Sequence, residues 1–426
     1  MVKPVTTMTH DTNIPQGYKA TALGIIPQEW EVRPLNYLGA ICSGGTPDTE
    51  VAEYWNGDIA WCTPSDITKL DTKYIESTEV KITAKGLKES SATLLPPRSI
   101  VVCTRATIGN AAICNTEIAT NQGFKNIIPN EKTNPEWLYY IIIYSKPRLV
   151  RFGCGSTFLE VSKKDFSRFK IAVPPLAEQR KIAEVLGVWD EAIEKQARLI
   201  EKLALRKRAL MQRLLSAKLR LPGFSEPCKK IKLGDICERV TRKNIEDYQN
   251  VMTISAQRGF VAQTDFFNKS VASETLESYY LVFRDEFCYN KSYSNGYPMG
   301  AIKRLSEAEK AVVTSLYICF NVKPGTDANI DYLSYYFDNG GLNRGLTKIA
   351  NEGGRAHGLL NVTPKDFFGL SFEIPSLKEQ TAIAKVLTAA DREIELAKEK
   401  LERLRRQKRG LMQQLLTGKK RVKYGN

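Results

Sequence analysis

Histidine is almost missing from this sequence: 426 residues contain two, His10 and His357. That scarcity excludes a histidine-built metal cluster and any pair of histidine-based triads. The nine cysteines are odd in number, scattered and never spaced C-x-x-C, which argues against a zinc ribbon or a disulfide framework and for a reducing cytoplasm. There is no G-x-x-x-x-G-K-[ST], no G-x-G-x-x-G after a strand, and no Asn- or Asp-Pro-Pro-aromatic motif. The usual phosphate and dinucleotide loops and the amino-methyltransferase signature are therefore lacking. The longest apolar run, Trp137 to Tyr144, is too short to span a bilayer, and the polar start MVKPVTTMTHDTNIPQ has no signal-peptide core. Residues 1–16 are expected to be disordered, and the chain is expected to be cytoplasmic, with no membrane partner. A metal reading of Pro47-Asp48 with Glu50 fails because Ala52 stands where a lysine is required, and Asp48 suits a turn.

Acidic residues are in deficit, 47 against 62 basic ones, and the net charge of +15 points to a polyanionic partner. With 42% apolar and 26% charged residues, the chain has ordinary globular composition and enough length for two cores.

One long stretch occurs twice. Pro174 to Ser216 returns as Pro375 to Thr417, with Glu178-Gln179 matching Glu379-Gln380 and Leu210-Met211-Gln212 matching Leu411-Met412-Gln413, all 201 residues apart. Apolar residues recur at coiled-coil spacing: Leu186, Trp189, Ile193, Ile200, Leu203, Leu210 and Leu214 in the first copy, and Leu387, Ile394, Leu401, Leu404, Leu411 and Leu415 in the second, with Ala390 and Ala397 on the same stripe. No proline interrupts either copy after its opening. Each predicts a rod of roughly 40 helical residues, about 60 Å at 1.5 Å per residue, whose seam pairs with the other copy. Ser376 and Glu379 have the spacing of a capping box at the second opening.

A globe precedes each rod. In the first, runs at Ile100 to Thr104, Ala111 to Cys114 and Phe124 to Ile128 read as strands, and Asn134-Pro135 opens a helix. The second follows the same plan: Leu38-Gly39 aligns with Leu233-Gly234, and Leu138 and Tyr140 with Leu333 and Tyr335, at an offset of 195. Lys164-Asp165-Phe166 aligns with Lys365-Asp366-Phe367 at 201, which implies about six extra residues near Asn339-Gly340-Gly341. The second globe leaves one rod and enters the other, and domain termini lie close together, so the rods should be antiparallel. The expected boundaries are 17–173 for the first globe, 174–217 for the first rod, 218–373 for the second globe, 374–417 for the second rod and 418–426 for a basic tail. The fold class is α+β with an internal, pseudo-twofold repeat.

The globes offer groups suited to reading bases, since Arg and Lys recognise guanine, Asn and Gln recognise adenine, and Thr or apolar atoms meet the thymine methyl. In the first globe these are Thr46, Trp61, Thr63, Ser65, Arg105, Thr107, Asn121, Gln122, Lys125 and Thr157; in the second, Arg242, Lys243, Ser255, Gln257, Arg258, Lys291, Tyr293, Asn295, Ser315, Tyr317, Arg355 and His357. Asn121-Gln122-Gly123 also reads as a turn, and Trp61 as core.

Several motifs together resemble the DNA specificity subunits of type I restriction-modification systems over nearly the whole chain. They are Gly24-Ile25-Ile26-Pro27 with Trp30, Gly45-Thr46-Pro47, Gly57-Asp58-Ile59 with Trp61, Ala119-Thr120-Asn121-Gln122, Gly155-Ser156-Thr157, and the twice-occurring Pro-x-Leu-x-Glu-Gln-x-x-Ile-Ala. The resemblance implies two target recognition domains, each reading half of a bipartite, asymmetric site on double-stranded DNA. It also implies antiparallel helices that set the gap and dock two methyltransferase subunits. Such a subunit is not an enzyme and needs no cofactor of its own. S-adenosylmethionine would serve the methyltransferase partners, and ATP and magnesium the restriction and translocase partners. The second globe lacks the Gly-Thr-Pro and Asn-Gln patterns. Two other classes remain open: a free-standing enzyme, and a coiled-coil adaptor whose globes bind protein or glycan.

Overall fold

The computed structural model describes residues 14–153, 160–264, 276–352 and 360–423. It divides into two compact units, and the division falls within the rods. One unit runs to Arg198 and resumes at Lys398; the other is Leu199–Ala397. Each unit therefore owns a globe, one half of the first rod and one half of the second. The rod ends are part of the globe cores.

In the first unit the central sheet orders its strands 39–43, 124–129, 100–103, 111–114 and 74–75. Residues of Ile100–Cys103 and Ala111–Cys114 are buried on both faces, which explains their continuous rather than alternating apolar pattern. Because successive side chains point to opposite faces, Ile100, Val102 and Ile113 enter one cluster, while Val101, Cys103, Ala112 and Cys114 enter another. The first cluster also contains Trp137, Leu138 and Tyr140 of helix Pro135–Phe152 and the rod residues Leu186, Met412, Leu415 and Leu416. The second cluster holds Ala60, Cys62 and Ile118 from a smaller sheet of strands 118–120, 55–62 and 81–82.

The second unit repeats the arrangement. Phe287, Tyr289, Ile318 and Phe320 face Tyr332, Leu333 and the rod residues Met211, Leu214 and Leu387, whereas Cys288 and Cys319 face Val240, Val282 and Val313. Its helix is broken into Ile330–Asp338 and Asn343–Ile349, with Gly340 at φ +75° between them, where the sequence predicted an insertion.

Hydrogen bonds correct one alignment. The Leu35 N–H donates to Phe169 O and the Leu233 N–H donates to Leu370 O, so Leu35, not Leu38, is the counterpart of Leu233. Strand 31–34 pairs with 170–173 as 229–232 pairs with 371–374, which gives an offset of 198 here. The shared Leu-Gly was a chance dipeptide outweighed by strand register.

The rods are helices Leu176–Leu214 and Leu377–Leu416. Within the first unit Glu178 meets Arg421 and Asp190 meets Lys408; within the second, Arg206 meets Glu393 and Arg220 meets Glu379. In both units numbers rise along one partner as they fall along the other, so the pairing is antiparallel. None of the predicted seam residues is exposed.

Candidate nucleic-acid interface

The first unit gathers residues from three loops around one cleft. Gly44 and Gly45 let the chain press against its neighbours: a Cβ on Gly44 would lie 1.9 Å from Asn121 O, and one on Gly45 would lie 2.3 Å from Ser91 C. Gly45 N–H donates to Thr120 O at 2.9 Å, and the Trp61 indole N–H donates to Gly45 O at 2.9 Å. Trp61 is 7% exposed and stacks edge-on against Trp55, so it is the floor under the loop rather than a surface group. Held this way, Thr46 donates its hydroxyl to the Gln122 amide oxygen. Asn121 Oδ1 accepts from Gly123 N at 2.9 Å, closing the expected turn between strands 118–120 and 124–129.

These bonds fix polarity. With both amide oxygens engaged, Asn121 and Gln122 keep their NH₂ groups as donors for an external acceptor. Arg105, Thr107, Asn110, Asn121, Gln122 and Lys146 line a cleft of about 750 Å³, and Lys146 Nζ donates to Asn110 Oδ1 at 2.6 Å. Ala106 takes a left-handed φ of 59°, which turns the chain beside the exposed Arg105. Four other candidates remain. Ser65 is exposed on helix Pro64–Thr68 and does not line the cleft. Thr63 caps the same helix, its hydroxyl and N–H both donating to Asp66. Lys125 is 6% exposed and faces Glu160 at 3.6 Å. Thr157 lies outside the described residues. Asp48 Oδ1 accepts from Glu50 N, as a turn residue does.

The second unit arranges its candidates differently. Arg242 is exposed yet already engaged: its guanidinium donates to Leu281 O and to both oxygens of buried Glu286 and lies over the Phe283 ring. Lys243 donates to Ser278 O and covers Tyr280. Tyr317 is buried, its hydroxyl 3.0 Å from Thr253 Oγ1. Ser255 is buried and accepts from Arg258 N. A second exposed group forms a small cluster: Gln257, whose amide donates to Asn295 O at 3.1 Å, exposed Arg258, and Tyr293, which is 62% exposed. Lys291 is half-buried beside them, and burial lowers its ammonium pKa. Ser315 is exposed; Arg355 and His357 lie outside the described residues.

Beneath these unlike faces is a frame repeated bond for bond. Gln179 accepts from Asn134 N and donates to Pro174 O and Lys132 O; Gln380 accepts from Asn329 N and donates to Pro375 O and Asp327 O. Tyr140 donates to Asp190, which also takes Lys408, while Tyr335 donates to Asp391, which also takes Lys207 at 2.6 Å. Burial and the adjacent carboxylate push both phenols up, so each remains a neutral donor. This knot of tyrosine, aspartate and lysine was not foreseen. Its only sequence signal is that all three members recur, at offsets of 195 and 201.

A model of the type I restriction modification DNA specificity domain matches residues 27–204 and again 225–406. The chain is 39% identical over 193 residues to the specificity subunit of type I restriction enzyme MjaIX of Methanocaldococcus jannaschii, covering 44% of this chain and 45% of that one. The match thus spans about half of that relative's length. A second relative from the same organism, the MjaVIII specificity subunit, is 22% identical over 428 residues, covering 94% of this chain and 95% of its own. A solved structure concerned with complex assembly and conformational transition of the type I R-M system shares the fold, with a TM-score of 0.58 at 16% identity over 92% of this chain and 99% of that one. Among the described residues no helix is long and apolar enough to cross a membrane.

Proposed function

The chain belongs to the type I restriction-modification DNA specificity family, and from that premise we propose that it is the non-catalytic subunit that reads DNA sequence for such a complex. Each globe reads one half of a bipartite, asymmetric duplex target, and the paired rods set the spacer and dock two methyltransferase subunits. Adenine methylation belongs to those partners, and ATP-driven translocation and cleavage to the restriction subunits. The observation that carries this reading is the contrast just described: a frame duplicated in its individual hydrogen bonds supports two faces with different donors. An enzyme duplicated for chemistry would keep its reactive groups alike, whereas a reader of two different half-sites must vary them.

The first unit presents donors at Arg105, Asn121 and Gln122, a set suited to the acceptor-rich major-groove edges of purines. The second presents Gln257, Arg258, Tyr293 and Asn295. The net charge of +15 supplies the phosphate-binding part, so affinity should fall steeply with salt. The test is to map methylated adenines in the host genome with this gene present and deleted. Loss of one bipartite, asymmetric motif on deletion is the expected result; an unchanged methylation pattern would reject the reading.

A further inference from the structure

Each unit buries a glutamate at the entrance to a rod and clamps it with one arginine: Glu178 with Arg421, and Glu379 with Arg220. Glu178 has a second partner. Trp30 Nε1 donates to Glu178 Oε2 at 2.8 Å, and its indole is wholly buried in a cluster with Leu415 and Leu416. Trp30 and Pro27 also close over Gly418, whose carbonyl accepts from the Tyr18 hydroxyl at 3.0 Å. Hairpin Tyr18–Thr21 and Gly24–Pro27 leads directly into this tryptophan.

The second unit has the seat without the occupant. Since Glu31 pairs with Val173 as Lys229 pairs with Ile374, the residue before the strand, Trp30 in the first unit, is Cys228 in the second. No hairpin precedes Cys228; the chain arrives from Arg220 through a turn at Gly223. Around that position lies a cavity of about 600 Å³ lined by Leu214, Leu215, Ala217, Cys228, Tyr332 and Glu379. Leu214, Leu215 and Ala217 are the counterparts of Leu415, Leu416 and Gly418, the residues that touch or surround Trp30. The carboxylate of Glu379 is 1% exposed and takes one bond on each oxygen from Arg220, whereas Glu178 Oε2 takes two. A carboxylate has lone pairs for about four bonds.

We propose that this cavity is a receptor for an indole-type ring, a flat bicyclic aromatic whose ring N–H donates to Glu379. The mouth carries the exposed cations Lys230, Arg344 and Lys348 with one acid, Glu373. That charge favours a ring with an acidic flank, as Trp30 has in Glu29 and Glu31. The ring chemistry is the same whether it arrives as a free molecule or as a tryptophan of a partner polypeptide. The proposal does not depend on the DNA-reading function.

The test uses the full chain with its partner subunits and three probes: indole, benzofuran, and a capped hexapeptide of the chain's own sequence Ile26 to Glu31. Indole is expected to bind the wild type and benzofuran, the same shape without the N–H, at least ~10-fold more weakly. Cys228→Trp, which supplies the ring from within, is expected to abolish the indole response. The hexapeptide is expected to displace 5-fluoroindole in ¹⁹F NMR, a measurement on the wild type that needs no variant to fold. A hexapeptide tighter than indole assigns the seat to a polypeptide, and a weaker one assigns it to a free molecule. No indole binding, equal binding of benzofuran, or a response retained in folded Cys228→Trp would each overturn the proposal.

Discussion

Asn134 and Asn329 open equivalent helices, and each passes its backbone N–H to a rod glutamine that is itself bonded to a proline carbonyl. A few ångströms of sequence away the likeness stops. One helix continues for 18 residues while the other breaks after nine, and one glutamate entrance is sealed by tryptophan while the other is open. The difference teaches where a duplicated protein is free to change. Groups that bond across the globe-to-rod junction are constrained by several partners at once, while loops beyond the sheet edge satisfy only themselves.

The comparison breaks most visibly at the seal. Trp30→Ala removes a fully buried indole and leaves Glu178 with one partner fewer, so a loss of about 3–5 kcal/mol in the first unit is expected. Cys228→Ala at the equivalent place borders a cavity already present and should cost less than about 1 kcal/mol. Amide exchange under mild denaturant reads each unit separately. Equal losses in the two variants would mean that the seats are not equivalent.

The tyrosine-aspartate-lysine knots differ in degree. Asp190 takes Lys408 and also Lys73 at 3.4 Å, with side chains only 12–19% exposed, whereas Asp391 is 43% exposed and, among the described residues, takes Lys207 alone of the lysines. Asp190→Ala leaves two poorly solvated ammonium groups uncompensated and should cost about 3 kcal/mol. Asp391→Ala should cost about 1 kcal/mol, because water already reaches the carboxylate and a single ammonium, not two, loses its partner. Thermal unfolding of the two variants side by side checks the order, and the reverse order would show that the surrounding network sets the cost.

Much of this frame was legible in the sequence, and for a physical reason. A seam repeated over 40 residues leaves a periodic trace, and the rod entrance Pro-x-Leu-x-Glu-Gln is written twice. The knots were not legible, because Tyr140, Asp190 and Lys408 lie on three separate segments and none is unusual alone. The candidate faces were half legible. Arg242 and Tyr317 have the chemistry of base contacts, but the same guanidinium and phenol satisfy Glu286 and Thr253, and only strand register decides which way they turn. Gln122 keeps its NH₂ as the outward donor because Thr46 engages its oxygen.

The faces give the next test. Gln122→Ala should weaken discrimination at one half-site by about 1–3 kcal/mol and leave the other unchanged, while Arg258→Ala does the reverse. Selection of binding sites from a randomised pool reads both halves together. A change at both halves from either variant would contradict independent readers.

The smallest effect separates two arginines that sequence alone treats alike. Arg206 and Arg208 belong to one basic run near the end of the first rod. In the structure Arg206 pairs with Glu393 of the opposite rod inside the same unit, at about half exposure on both sides. Arg208 is exposed and has no ion pair among the described residues. An exposed pair contributes about 0.2–1 kcal/mol, so Arg206→Glu should lower stability by that amount and Glu393→Arg should restore it in the double variant. Arg208→Glu should leave stability unchanged and, if the rod docks a partner there, reduce co-purification of the methyltransferase subunit. Should Arg206→Glu impair assembly with Glu393→Arg unable to rescue it, Arg206 would be a docking residue after all, and its bond to Glu393 would be incidental.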